Sequence, residues 1–132
     1  MVTASGEPRL ILVVDDNELV ALSLEDTLRD AGFAVLTVNS GHDAVEIMEH
    51  SPELAAVVTD IRLEPGTDGW EVAERAREMH PNVAIVYITG NSTQDHARCA
   101  VPNSRLLRKP FGGPQVIDAV STLIDRSTPT LH

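Results

Sequence analysis

Short apolar runs recur along the chain, and each is closed by polar residues or glycine. The runs are rich in valine, isoleucine and leucine. Such runs are typical of strands that are buried on both faces of a parallel sheet. They predict five strands, at Leu10–Val14, Ala34–Val38, Ala55–Thr59, Val83–Ile88 and Arg105–Arg108.

A segment with helical spacing of its apolar residues follows each predicted strand. Residues that favour a helix N terminus precede these segments: Asn17, Ser40, Thr67 or Asp68, Ser92 with Asp95, and Pro114. Gly32 is placed to end the first helix. The segment after Ser92 has few apolar residues before Pro102, so it predicts a weakly held helix.

Five repeats of strand then helix, joined by short loops, predict an α/β fold with a parallel sheet between two layers of helices. Right-handed crossovers leave few topologies, and we expect the flavodoxin-like (βα)5 sandwich with strand order 2-1-3-4-5. One domain is expected over residues 9–126, with flexible tails at 1–8 and 127–132.

Charge and composition argue against several kinds of binding partner, against a membrane span and against a disulfide. The 132 residues carry a formal net charge of -10, which opposes binding to DNA or to anionic lipid. The longest early apolar run is too short to span a membrane, and the first residues do not resemble a signal peptide, so a cytoplasmic protein is expected. Cys99 is the only cysteine, which excludes an internal disulfide.

Polar and charged residues follow four of the five predicted strands. They are Asp15 and Asp16 after the first strand, Asp60 after the third, Thr89 after the fourth and Lys109 after the fifth. A sheet in the order 2-1-3-4-5 would bring all of them to one edge. Their joint placement is more informative than any one of these residues.

Three carboxylates at one edge would repel one another. Two unit charges roughly 4 Å apart cost about 4 kcal/mol at an effective dielectric of about 20. A hard, oxygen-seeking cation such as Mg²⁺ would offset this charge and leave room for a phosphoryl oxygen. Lys109, the only lysine of the chain, adds a compact positive charge, and Thr89 adds a hydroxyl donor. The set is suited to holding a phosphoryl group on Asp60.

Several motifs resemble the signature positions of the response-regulator receiver domain. They are ILVVDDN, VVTDIRL with a following DGW, ITG and LRKPF, and the resemblance extends from about Arg9 to Arg126. An acid pair or a Lys-Pro sequence would be a weak signal alone, but together these motifs are highly specific.

The resemblance implies a role for each of these residues. Asp60 would be the phosphoacceptor, Asp15 and Asp16 would hold Mg²⁺ with the main-chain carbonyl of Arg62, and Thr89 and Lys109 would bind the phosphoryl group. The donor would be a phosphohistidine on a sensor histidine kinase or a phosphotransfer protein. Such a protein catalyses only its own phosphorylation and dephosphorylation and signals by binding another protein.

Two positions depart from the family pattern. The loop after Asp60 is one residue longer, because of Glu64, Pro65 and Gly66, and Leu106 stands where the family has its switch aromatic. The signal is therefore expected to leave through the weak helix after the fourth strand and the loop before it. Trp70 and Tyr87 are interpreted as packing residues.

The sequence leaves other functions open. The same domain could act as a scaffold that is never phosphorylated. A phosphatase with an aspartyl nucleophile is disfavoured because its two acids would be separated by one residue, whereas Asp15 and Asp16 are adjacent. A flavin or nucleotide site is disfavoured because the first loop is acidic. The downstream partner and the formation of a homodimer stay open.

Overall fold

The structure, a computed structural model, describes residues 8–51, 53–63, 68–90 and 100–127. Within these ranges it contains five strands and four helices. The strands are β1 (Leu10–Val14), β2 (Ala34–Val38), β3 (Ala56–Asp60), β4 (Ala84–Thr89) and β5 (Ser104–Arg108). The helices are α1 (Glu18–Asp30), α2 (Gly41–His50), α3 (Gly69–Met79) and α4 (Gly113–Ser127).

The five strands form one parallel sheet in the order β2-β1-β3-β4-β5. Both the strand order and the parallel direction confirm the prediction. Every residue of β3 and β4 is buried. Central strands of a parallel sheet are covered by helices on both faces, which is why their sequences are continuous apolar runs rather than alternating ones.

Each face of the sheet carries its own hydrophobic core. One core packs α1 and α4 against the sheet, through residues such as Leu28 and Val120. The other packs α2 and α3, through residues such as Met48 and Val72. This arrangement is the predicted three-layer, flavodoxin-like sandwich. None of the helices in the described ranges is long and apolar enough to cross a bilayer.

The predicted caps determine where three helices begin. The side chain of Asn17 accepts hydrogen bonds from the backbone N–H groups of Leu19 and Val20. Ser40 and Asp68 likewise accept from the N–H group three residues later, at 3.1 and 2.9 Å. These oxygens satisfy donors that the first turn of a helix leaves without a partner, so the loops before the helices have defined paths.

The ends of β3 and β4 lie one residue later than predicted. Asp60 pairs with Ile88 in the sheet, so it is the last residue of β3 rather than the first residue of a loop. Thr89 likewise ends β4, where it pairs with Arg108. A polar residue can still pair with the neighbouring strand through its backbone, so the pairing of the strands continues to the carboxyl edge of the sheet. Both side chains consequently start from regular strand geometry.

Some predictions lie outside the described residues. These are the longer loop at Glu64–Gly66, the helix start at Ser92 and Asp95, and all but the inner ends of the two predicted tails. Within the second tail, Ser127 belongs to α4.

Candidate functional site

Four strands deliver polar side chains to the carboxyl edge of the sheet. Asp15 follows β1, Asp60 ends β3, Thr89 ends β4 and Lys109 follows β5. These strands are consecutive neighbours in the sheet, so their ends lie side by side. We call the acids Asp15, Asp16 and Asp60 together with Lys109 the acidic pocket.

The three acids of the pocket lie close together. One carboxylate oxygen from each of Asp15, Asp16 and Asp60 lies within 4.8 Å of the other two. Asp15 is 2% exposed and Asp60 is 8% exposed, whereas Asp16 is exposed. Burial weakens the screening by water, so two of the three charges repel each other more strongly than surface acids would.

Lys109 contacts two of the acids. Its Nζ donates a hydrogen bond to Oδ2 of Asp60 at 3.1 Å, and it lies 3.6 Å from Oδ2 of Asp15. Partial burial lowers the pKa of Lys109, but the hydrogen bond to Asp60 and the charges of both acids outweigh it, so the pKa is raised above its usual value. The ammonium group therefore stays charged.

Asp15 is the most constrained carboxylate of the pocket. Burial raises its pKa; the N–H group of Asn17, bonded to Oδ1 at 2.8 Å, lowers it, and the charge of Asp60 raises it further. Its Oδ2 is buried and accepts no hydrogen bond from the part of the chain that the structure describes. A buried oxygen of this kind, beside two further carboxylates, fits a hard divalent cation such as Mg²⁺.

The backbone around Asp60 is held in place by its neighbours. Oδ1 of Asp60 accepts a hydrogen bond from the N–H group of Arg62 at 3.0 Å. The N–H group of Ile61 donates to the carbonyl of Ile88 at 3.0 Å. Both carboxylate oxygens of Asp60 are thus oriented, one by a main-chain donor and the other by Lys109.

Gly69 is a requirement of the site that the sequence analysis missed. Its N–H group donates to the carbonyl of Ile61 at 2.8 Å, which brings α3 back onto the end of β3. A Cβ atom at this position would lie 2.2 Å from the carbonyl oxygen of Asp60, a distance that no side chain tolerates. The available signal was a glycine at the first position of a helix, directly after its cap Asp68.

Thr89 and Gly90 border the open side of the pocket. Thr89 is 4% exposed, and its carbonyl accepts a hydrogen bond from the N–H group of Lys109 at 2.8 Å. Of the atoms in the described residues, a Cβ atom at Gly90 would approach only Cδ of Lys109, at 4.0 Å. The peptide bond between Lys109 and Pro110 is cis. Among the described residues, the position beside Gly90 has room for at least a methyl group.

The family of the chain follows from a comparison with protein-family models. The model of the response regulator receiver domain matches residues 11–121, which is most of the chain. The chain belongs to the response regulator receiver family.

Relatives of the receiver domain include both short proteins and large kinases. The chain is 30% identical over 122 residues to the response regulator receiver protein CpdR of Brucella abortus, and the match covers 88% of this chain and 96% of CpdR. It is 28% identical to the sensor kinase CckA of the same organism, but it covers only 12% of that protein.

Solved structures agree with this assignment. A response regulator receiver protein from Sinorhizobium medicae is 44% identical, with a TM-score of 0.89 over 92% of this chain and 98% of that one. The receiver domain of the sensor histidine kinase PA1611 from Pseudomonas aeruginosa, which has a magnesium ion in its active-site cleft, is 31% identical. Its TM-score is 0.78 over 89% of this chain and 98% of that domain. The receiver domain described here is therefore a phosphorylation-controlled signalling switch.

Proposed function

We propose that Asp60 accepts a phosphoryl group from a phosphohistidine and that Lys109 and Thr89 bind that group. The observation that carries this proposal is the hydrogen bond of 3.1 Å between Lys109 and Asp60, with Asp15 and Asp16 beside them. A nucleophilic carboxylate needs an oriented oxygen and nearby positive charge to approach an anionic phosphorus. Asp60 has both.

The transfer itself exchanges one bond for another. A carboxylate oxygen of Asp60 attacks the phosphorus, a P–O bond forms, and the P–N bond to the donor imidazole breaks. The imidazole leaves with the electron pair of that bond and takes a proton from solvent. Lys109 then balances charge on a phosphoryl oxygen, and the hydroxyl of Thr89 donates a hydrogen bond to another oxygen.

The acids of the pocket would also hold a magnesium ion. Its ligands would be the carboxylates of Asp15, Asp16 and Asp60, together with the main-chain carbonyl of Arg62. When bound, Mg²⁺ would neutralise charge on the carboxylates and on the phosphoryl oxygens. Oδ2 of Asp15, which is buried and has no hydrogen-bond partner among the described residues, supports this assignment.

A protein is the expected phosphoryl donor. A cavity of about 500 Å³ adjoins Lys109 and is lined mainly by apolar residues, among them Leu19, Val20 and Phe111. Leu19 is 79% exposed, so the apolar lining of this cavity lies open to solvent at the start of α1. An apolar surface beside the pocket suits a sensor histidine kinase or a phosphotransfer protein better than a small phosphorylated metabolite.

The proposal is tested by incubating the chain with acetyl phosphate and Mg²⁺ and measuring its intact mass. A single phosphoryl adduct that is stable in acid and labile in base is expected. Asp60→Asn should abolish the adduct, and Asp26→Asn, which changes an exposed acid on α1, should leave it unchanged. An adduct that persists in Asp60→Asn would overturn the assignment, and its absence from the unaltered chain would favour a scaffold that is not phosphorylated.

A further inference from the structure

The only tryptophan and the only tyrosine of the chain contact each other between α3, which carries Trp70, and β4, which carries Tyr87. The ring centroids of Trp70 and Tyr87 are 4.7 Å apart, and the ring planes are tilted by 55°. Tyr87 is fully buried, and Trp70 is half-buried. Tilted aromatic pairs at this separation are mutually attractive, so a displacement of one ring is resisted by the other.

One end of this pair is linked to Asp60. Trp70 directly follows Gly69, whose N–H group is bonded to the carbonyl of Ile61, the residue after Asp60. The backbone of Gly69 packs tightly against the carbonyl of Asp60. Because this contact leaves no free space, a movement of the end of β3 must displace the start of α3. A shift at Asp60 is therefore passed to Trp70 through the backbone.

The other end of the pair reaches the surface. The N–H group of Val101 donates a hydrogen bond to the hydroxyl oxygen of Tyr87 at 3.0 Å. Val101 is half-buried, and it is followed by the exposed residues Pro102 and Asn103. Tyr87 is thus a buried side chain that fixes the backbone of a surface segment.

On the face of the sheet that α3 covers, Tyr87 supplies an aromatic ring and Leu106 does not. The two residues are paired across β4 and β5, so their side chains lie on the same face of the sheet, and Leu106 is half-buried there. The large ring belongs to the interior strand β4, and the edge strand β5 carries the smaller side chain.

We propose that the Trp70–Tyr87 pair transmits the phosphorylation state of Asp60 to the surface segment Ala100–Asn103. The route runs from Ile61 through Gly69 and Trp70 to Tyr87 and then to Val101, and each step is a covalent link or one of the contacts described above. This inference rests on Asp60 as the phosphoacceptor. Tyr87 acts as a positioning residue, because its hydroxyl accepts the hydrogen bond that sets the conformation of Val101.

The experiment follows amide resonances of the whole chain while beryllofluoride and Mg²⁺ are added in place of a phosphoryl group. In the unaltered chain, we expect the resonances of the pocket and of Val101 to shift together, with a parallel change in the fluorescence of Trp70. In Tyr87→Phe, the pocket resonances should still shift, but the shift of Val101 should be largely lost. Trp70→Leu, which breaks the aromatic contact and keeps the tyrosine hydroxyl, should give the same loss.

Ser104→Ala is the matched control. The hydroxyl of Ser104 donates to the carbonyl of Val101 at 2.7 Å, so this variant also removes one hydroxyl hydrogen bond to Val101 but does not touch the aromatic pair. It should keep the beryllofluoride-dependent shift of Val101. Equal losses in Ser104→Ala and Tyr87→Phe, or a full shift in Tyr87→Phe, would overturn the inference.

The unaltered chain separates this inference from the proposed function. Pocket shifts without any response of Val101 or Trp70 would overturn the inference alone. The absence of pocket shifts would overturn the phosphoacceptor proposal as well.

Discussion

The interior of the sheet and its carboxyl edge place opposite kinds of residue in equally buried positions. Val14 and Asp15 are neighbours in the chain, and they are 0% and 2% exposed. Burial of the valine stabilises the fold, whereas burial of the carboxylate costs free energy unless a cation or hydrogen bond compensates. The strand β1 therefore stabilises the fold along its length, whereas the carboxylate that directly follows it lowers stability and serves the chemistry of the pocket.

Substitutions at the carboxyl edge and in the interior of the sheet should differ most in their effect on the rate of phosphorylation. Lys109→Met keeps the apolar stem and removes the charge 3.1 Å from Asp60. The rate of adduct formation with acetyl phosphate should fall about 100-fold, the usual effect of losing one preorganised charge partner. Arg108→Met, which changes the exposed preceding residue, should leave the rate unchanged. A rate for Lys109→Met equal to that of Arg108→Met would remove the lysine from the mechanism.

Substitutions in the interior should change stability instead. Leu28→Ala, at a fully buried position of α1, should lower the free energy of unfolding by about 3 kcal/mol through lost burial and the cavity left behind. Leu22→Ala on the same helix, where the leucine is 53% exposed, should change it by no more than about 0.5 kcal/mol. Urea denaturation measures both values, and equal losses would mean that the two cores do not dominate stability.

Magnesium should partly restore the stability lost at the edge. At a concentration ten times its Kd, Mg²⁺ should raise the free energy of unfolding by about 1.4 kcal/mol, because it binds the folded acids and not the unfolded chain. Thermal denaturation with and without EDTA checks this expectation. The gain should disappear in Asp60→Asn, and an identical gain in that variant would place the ion elsewhere.

The smallest effect is a gain of stability from losing an acid. The pKa of Asp15 is raised in the folded state, so its contribution to stability is present below the unfolded pKa and is lost as pH rises through the folded pKa. In EDTA at neutral pH, Asp15→Asn should therefore increase the free energy of unfolding, by about 0.5–1 kcal/mol if it acts like an ordinary stabilising substitution. Urea denaturation at a series of pH values from acid to neutral should show that the stability advantage of Asp15→Asn over the unaltered chain grows as pH rises. A difference in the free energy of unfolding that does not change with pH would show that ionisation of Asp15 is not its cause.

Much of the fold was predictable because it depends on local pattern. The five strands, their order and the caps Asn17, Ser40 and Asp68 follow from apolar runs and from residues that satisfy helix donors. The convergence of Asp15, Asp60 and Lys109 followed from the strand order, since each lies at the carboxyl end of its strand. The strand bounds differed by one residue: β3 and β4 are shifted by one position, and β5 begins one residue earlier, at Ser104.

The contacts that depend on the path of a connection were not predictable. The approach of Gly69 to Asp60 requires α3 to return onto the end of β3, which no spacing in the sequence specifies. The bond between Tyr87 and Val101 joins positions on different elements, and a buried tyrosine hydroxyl gives no indication in the sequence of its partner. These tertiary contacts place the aromatic pair between the pocket and the surface.

The most direct test of the acidic pocket is to locate the phosphoryl group chemically. The phosphorylated chain is reduced with borohydride, which converts an acyl phosphate to an alcohol, and its peptides are sequenced by mass spectrometry. If Asp60 is the phosphoacceptor, homoserine should replace aspartate at Asp60 and at neither Asp15 nor Asp16, and this is the expected result. Reduction at Asp15 or Asp16, with Asp60 unchanged, would contradict it.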